Sequence, residues 1–352
     1  MQQPEFWMEK ETEESASIIE NQQKSVVNVF QEITKRLLEN PPHFVATLAR
    51  GSSDHASFFA KYAIETQLGI MTASITPSIH TIYKTNLNYK NSLVIAISQS
   101  GKSKDLIESL VSAKKNGAVT LSFVNDANSE LAKESEYFIP LLANTEKSVA
   151  ATKSFIASLS RIIQFVSYWK NNSLLNLQIL NTAKQLSFRF QNHQNEFTEK
   201  LMLDKSIFII GRGYSFPIAL ESALKLKETC GLHAEAFSGA EILHGPFELI
   251  QSNFPILVYL SQDETLNGML NLIDTLKNKN AKLFIITTNE IATIHHEKLF
   301  HCVVVSAGNS VSPLCDSILF IYHFYKLTIQ LAQKLGRNPD TPKNLNKVTS
   351  TI

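Results

Sequence analysis

Phe44-Val-Ala-Thr-Leu-Ala-Arg50-Gly51-Ser-Ser53 and Ser206-Ile-Phe-Ile-Ile-Gly211-Arg212-Gly213-Tyr-Ser215 follow one pattern, a short apolar run broken by glycine and serine. A helical stretch follows each run, His55 to Leu68 in the first copy and Pro217 to Cys230 in the second, and Gly69 and Gly231 close them. Gly51 to Gly69 and Gly213 to Gly231 both span 18 residues, and the copies lie 162 residues apart. The register persists beyond them. Leu93 to Gln99 matches Ile256 to Gln262, Ala118 to Asn125 matches Lys282 to Asn289, and Tyr137 to Leu142 matches Cys302 to Ser306. Each copy alternates short, continuously apolar strands with helices of ten or more residues, the pattern of a parallel sheet covered by helices on both faces. The fold class is therefore α/β, with helices before Pro41 and again between residues 155 and 200. Ligands of such sheets bind at the carboxyl ends of strands, beside helix N-termini.

Composition narrows the function classes. Lys and Arg total 33 against 32 Asp and Glu, so the net charge of +1 gives no electrostatic reason to bind nucleic acid or an anionic membrane. A chain of 352 residues, 44% hydrophobic and 18% charged, has material for two ordinary globular domains. The N-terminus lacks the apolar stretch of a signal peptide, and no run approaches the length of a membrane span, which predicts a cytoplasmic protein. Cys230, Cys302 and Cys315 are far apart and read as buried thiols rather than metal ligands.

The loop Ser98-Gln99-Ser100-Gly101-Lys102-Ser103 leaves a buried strand and opens a helix. Hydroxyls and unpaired amides at a helix start favour an anion such as phosphate, although serine and glycine also cap and turn without binding anything. A nucleotide-binding P-loop is the rival reading, but Ala96 and Ile97 belong to the strand and the first glycine is absent. Gly211-Arg-Gly213 lacks the third glycine of a dinucleotide fingerprint, with Phe216 in its place. Glu221, Lys225 and Glu228 fall on one helix face, where a solvated stripe is the plain expectation. His233, Glu235, Glu241 and His244 then read as a loop rich in groups that can move protons. The adjacent His295 and His296 diverge in any regular element and carry no role, and the polar segment from Asn338 reads by default as a frayed terminus.

Taken in order, Ser98-Gln-Ser-Gly101, Val149-Ala-Ala-Thr-Lys153, Gly211-Arg-Gly213, Ala219 to Glu228, His233-Ala-Glu-Ala236, His244-Gly-Pro246 and Asn344-Leu-Asn-Lys347 resemble the tandem sugar isomerase (SIS) family. They are similar above all to the isomerase half of glucosamine-6-phosphate synthase. The resemblance implies two tandem three-layer αβα subdomains, residues 31–185 and 200–337, with a helical segment 1–30 ahead and a tail 338–352 folded over the active site. It implies that Ser98, Gln99, Ser100 and Ser103 hold a sugar phosphate and that Ser53, Val149, Ala151 and Asn346 line the sugar. Glu228 is then the base between C1 and C2, Lys225 its charged neighbour, His244 the ring-opening group from the partner of a homodimer, and Lys347 an imine-forming amine. No cofactor and no metal are implied, and the partner is a small-molecule sugar phosphate. Three departures stand out: Ala151 in place of serine, Lys102 in place of glutamate, and Asn346 in place of a small residue. The pattern also begins too near Met1 to leave room for a glutaminase, so the expected activity is that of a type II glucosamine-6-phosphate deaminase, giving fructose 6-phosphate and ammonia. Related isomerases or deglycases acting on galactosamine or fructosamine 6-phosphate, and a non-catalytic sensor, are the alternatives.

Overall fold

The computed structural model describes residues 6–25, 27–187 and 194–347. Helices α1 (Trp7–Glu13), α2 (Ser15–Gln23) and α3 (Val27–Glu39) precede the first sheet. That sheet is built from β1 (Phe44–Leu48), α4 (Ser52–Leu68), β2 (Thr72–Ser74), α5 (Ser78–Thr81), β3 (Ser92–Ser98), α6 (Lys104–Lys115), β4 (Ala118–Val124), α7 (Glu130–Glu134) and β5 (Tyr137–Pro140). Helices α8 (Lys153–Lys170), α9 (Ser173–Leu186) and α10 (Gln194–Leu201) follow. The second sheet uses β6 (Ser206–Gly211), α11 (Phe216–Lys225), β7 (His233–Ser238), β8 (Pro255–Tyr259), α12 (Leu266–Asn278), β9 (Lys282–Thr287), α13 (Asn289–Ile294), β10 (Val303–Ser306) and α14 (Pro313–Lys334). Among the described residues no helix is long and apolar enough to cross a membrane.

Both sheets are five-stranded and all-parallel, ordered β2-β1-β3-β4-β5 and β7-β6-β8-β9-β10. The duplicated sequence thus yields duplicated topology. Strand order reverses between β1 and β3, and again between β6 and β8, which marks the ligand-binding crevice of a doubly wound sheet. The described residues fall into two compact units. An N-terminal unit holds residues 17–146, 153–180 and 346–347, and a C-terminal unit holds 6–16, 147–152 and 181–345.

In the N-terminal unit every residue of β3 is buried, as its unbroken apolar run predicts. One face of the sheet packs Ala46, Val94, Ala96 and Val124 against Leu106, Leu110 and Leu131 of α6 and α7. Helix α4 covers the other face and packs on α8. In the C-terminal unit Phe208, Ile210, Ile256, Val258 and Ile285 meet Met269, Ile273 and Leu276 of α12, while α11 and α14 pack together on the opposite side. The paired glycines do what their spacing predicts. Gly69 and Gly231 both adopt the left-handed conformation, φ +70° and +61°, that ends a helix.

Three expectations need correction. His233 to Glu235, expected as loop, lies in the edge strand β7, which pairs with β6 in parallel. It escapes notice because an edge strand with alternating polar residues has no continuous apolar run. The helical stretch read from Pro217 to Cys230 is α-helical only as far as Lys225, and Leu226–Cys230 form a π-turn. The stripe Glu221, Lys225 and Glu228 is not a solvated face, because Glu221 and Lys225 are fully buried.

Candidate active site

At the first switch point, Ser53 stands in the first turn of α4 after β1, while Ser98 to Ser103 join β3 to α6. The serine loop organises its own backbone: Ser98 Oγ accepts from the Gly101 amide at 3.0 Å, and Ser100 Oγ accepts from the Lys102 amide at 3.3 Å. Gly101 has φ +63°, and an added Cβ would sit 2.2 Å from Ser129 Oγ, so only glycine fits the turn. Ser103 is the N-cap of α6 and makes no side-chain capping bond, which leaves its hydroxyl available at the helix start. Ser53, Gln99, Ser100 and Ser103 are half-buried, whereas Lys102 is exposed beside Asp126. Arg50, to which sequence reasoning gave no role, donates Nε and Nη2 to buried Asp105 at 3.0 and 2.8 Å and so ties the loop after β1 to α6.

The C-terminal unit holds the candidate acid–base groups. Lys225, on the last turn of α11, donates to Glu228 Oε2 at 2.5 Å and stands 3.4 Å from Glu221 Oε1. Tyr325 of α14 donates to the same Glu221 oxygen at 3.2 Å. Glu228 retains 20% side-chain exposure while Lys225 has none. The buried ammonium is thus shared between an enclosed carboxylate and one that reaches solvent. A π-turn at this point fits the frequent use of such bulges at functional sites.

Val149 and Ala151 are half-buried and lie on a segment fixed by its backbone amides. The Lys147 and Ser148 amides donate to Glu11 of α1, and the Val149 amide donates to the Asp340 carbonyl at 3.0 Å. Asp340 in turn caps α1, its carboxylate accepting from the Trp7 and Met8 amides at 2.8 and 2.7 Å. The segment leading into the tail is therefore packed, not frayed. His244 follows a 3-10 turn, Glu241–Leu243, and is exposed between exposed Leu243 and Leu249. Asn346 is exposed, and Lys347 Nζ lies 3.0 Å from Glu146 Oε2, a buried carboxylate that sequence reasoning missed.

These features define a duplicated, doubly wound α/β protein with a serine-rich loop at a helix start in one repeat and a lysine–glutamate pair in the other. The chain belongs to the SIS domain family, whose model matches residues 41–168 and 200–331. It is similar to the glutamine–fructose-6-phosphate aminotransferase (isomerizing) of Sulfolobus acidocaldarius, 29% identical over 98% of this chain and 56% of that protein. The chain spans about half the length of the curated relatives it matches. Its structure resembles a proposed phosphosugar isomerase of Silicibacter pomeroyi DSS-3, with a TM-score of 0.87 at 31% identity, covering 96% of this chain and 100% of that one. It also resembles the C-terminal domain of the glucosamine–fructose-6-phosphate aminotransferase of Francisella tularensis, with a TM-score of 0.83 at 25% identity, covering 97% and 99%.

Proposed function

We propose that this protein is a phosphosugar enzyme of the aldose–ketose type, and specifically an isomerising glucosamine-6-phosphate deaminase. The observation that carries the reading is the Lys225–Glu228 pair: a partly exposed carboxylate is paired with a fully buried ammonium, a setting that suits a base that must take a proton from carbon. Ser98, Gln99, Ser100 and Ser103 hold the phosphate at the start of α6, and Ser53, Val149, Ala151 and Asn346 line the sugar. His244 of a partner subunit opens the ring. Glu228 removes the proton at C2 of the open aldose and returns it to C1, leaving an imine at C2. Water adds to that imine, and ammonia leaves with fructose 6-phosphate. Lys347 engages the ketose carbonyl as an imine. A site that only sensed sugar phosphates would have no use for a buried ion pair beside an exposed base.

Incubation with glucosamine 6-phosphate, followed by assay of ammonia, tests the reading. Release above background at a rate that depends on Glu228 supports it. Turnover of galactosamine or fructosamine 6-phosphate instead would assign a related isomerase or deglycase, and binding without turnover of any of them would assign a sensor.

A further inference from the structure

Glu146 is used by nothing in the mechanism above, yet its side chain is fully buried, an arrangement that costs free energy unless the charge is met. Ser154 and Lys347 are among the groups that meet it. The Ser154 amide donates to Oε1 at 3.1 Å, Ser154 Oγ donates to Oε2 at 2.7 Å, and Lys347 Nζ donates to the same Oε2 at 3.0 Å. Ser154 lies in the first turn of the 18-residue helix α8, where a carboxylate is favoured by the helix dipole and the amides lack helical partners. Two of these donors belong to Ser154 of α8 itself. Lys347, 201 positions away in sequence, is 27% exposed and lies on a segment without regular structure.

We infer that Glu146 is a positioning residue for Lys347: it docks the C-terminal lysine and accepts the proton that the amine must lose before it can attack a carbonyl. This inference rests on the proposed imine role of Lys347. Lys347 Nζ passes one proton to Glu146 Oε2, and the freed lone pair forms the N–C bond as the C=O π pair moves onto oxygen. The extra proton on nitrogen reaches that oxygen through solvent. Glu146 then returns its proton to the hydroxyl, which leaves as water, and the protonated imine and the carboxylate remain.

The test compares the full-length protein with its Glu146→Gln, Glu146→Asp and Lys347→Met variants. Hydrogen exchange of residues 344–347 reads docking without any reference to activity, and it should rise to a similar extent in Glu146→Gln and Lys347→Met. Unchanged exchange in both would overturn the inference, and Lys347→Met keeps that arm informative if Glu146→Gln folds poorly. Borohydride trapping with fructose 6-phosphate, read by the mass of the Lys347 peptide, should fall by about 10-fold to 100-fold in Glu146→Gln, the scale of one charge-assisted hydrogen bond. It should recover in part in Glu146→Asp. Exchange of the C2 hydrogen of glucosamine 6-phosphate with deuterated water, which depends on Glu228, should change far less. Equal loss of trapping and C2 exchange would mean that Glu146 only supports the fold. If the unmodified protein traps no imine at all, the reading of Lys347 fails, and the exchange arm still decides whether Glu146 docks the tail.

Discussion

Members of one ion pair can answer to different measurements. Glu228→Gln leaves Lys225 beside Glu221, so the fold should survive while turnover falls by roughly 10²–10⁴, the usual worth of a positioned base. Lys225→Met removes a buried cation from between two carboxylates and leaves fully buried Glu221 to be neutralised or rearranged. It should lower stability by about 3–5 kcal/mol, seen as a large drop in melting temperature, before any effect on chemistry is considered. If both variants melt alike and differ only in rate, the burial argument is wrong. Gly101→Ala tests the serine loop in the same way. Its φ of +63° costs about 1–2 kcal/mol for any other residue, and the clash with Ser129 adds to it, so the loop must move. Affinity for inorganic phosphate or a sugar phosphate should fall by about tenfold or more, with a smaller loss of stability. Unchanged affinity would mean that the loop conformation does not govern anion binding.

Helix α14 carries two buried groups whose titrations oppose each other. Burial pushes the Asp316 carboxyl up to about 6, against the hydrogen bonds from Ser310, Val311 and Ser312 that favour its charged form. Burial pushes His323 down to about 4, helped by the charge of Lys326. As pH falls from 6 to 4 the folded state takes up a proton at Asp316 before the unfolded chain does, so this group makes the protein relatively more stable. As pH falls from 6.5 to 4 the unfolded chain protonates its histidine while folded His323 stays neutral, so that group makes it less stable. Denaturant titrations should therefore show a shallow change over this range in the unmodified protein and a steep loss, of the order of 2–3 kcal/mol, in Asp316→Asn. Equal slopes would show that one of the two groups is solvated. The elements themselves were unevenly legible. Strands β3, β4, β8 and β9 are near-continuous apolar runs buried on both faces and could be read directly. Edge strands β2 and β7 could not, since three residues in one case and the alternating His-Ala-Glu-Ala-Phe-Ser in the other give no such run. The π-turn leaves no mark in residue spacing. Glu146 was hidden for a different reason: its meaning comes from Ser154 and Lys347, and no local motif announces a contact made across 201 positions.

At the scale of the molecule, duplication has copied the fold but not the chemistry. The loop after β3 offers serine hydroxyls at the start of α6, whereas its counterpart after β8, Ser261-Gln262-Asp263-Glu264, places a carboxylate before α12. Asp263 accepts there from the Thr265 amide at 2.9 Å and from Thr265 Oγ1 at 2.5 Å, so the second repeat's helix start is already served by an anion of its own. The proposed base and the serine loop lie in different repeats, and a division between subunits is the last element of the proposed mechanism. His244 is exposed, and its neighbours Leu243 and Leu249 are 52% and 60% exposed, a setting that a second copy of the chain would cover. Mixing two inactive variants decides it. Glu228→Gln keeps His244, and His244→Ala keeps Glu228. If each site takes its histidine from the partner, random exchange makes half of the dimers mixed and gives each of those one intact site, so about a quarter of the normal activity should return. The parent preparations should stay inactive when assayed alone. If His244 serves the site of its own chain, every site in the mixture lacks one group or the other, and no activity returns however long the subunits are allowed to exchange.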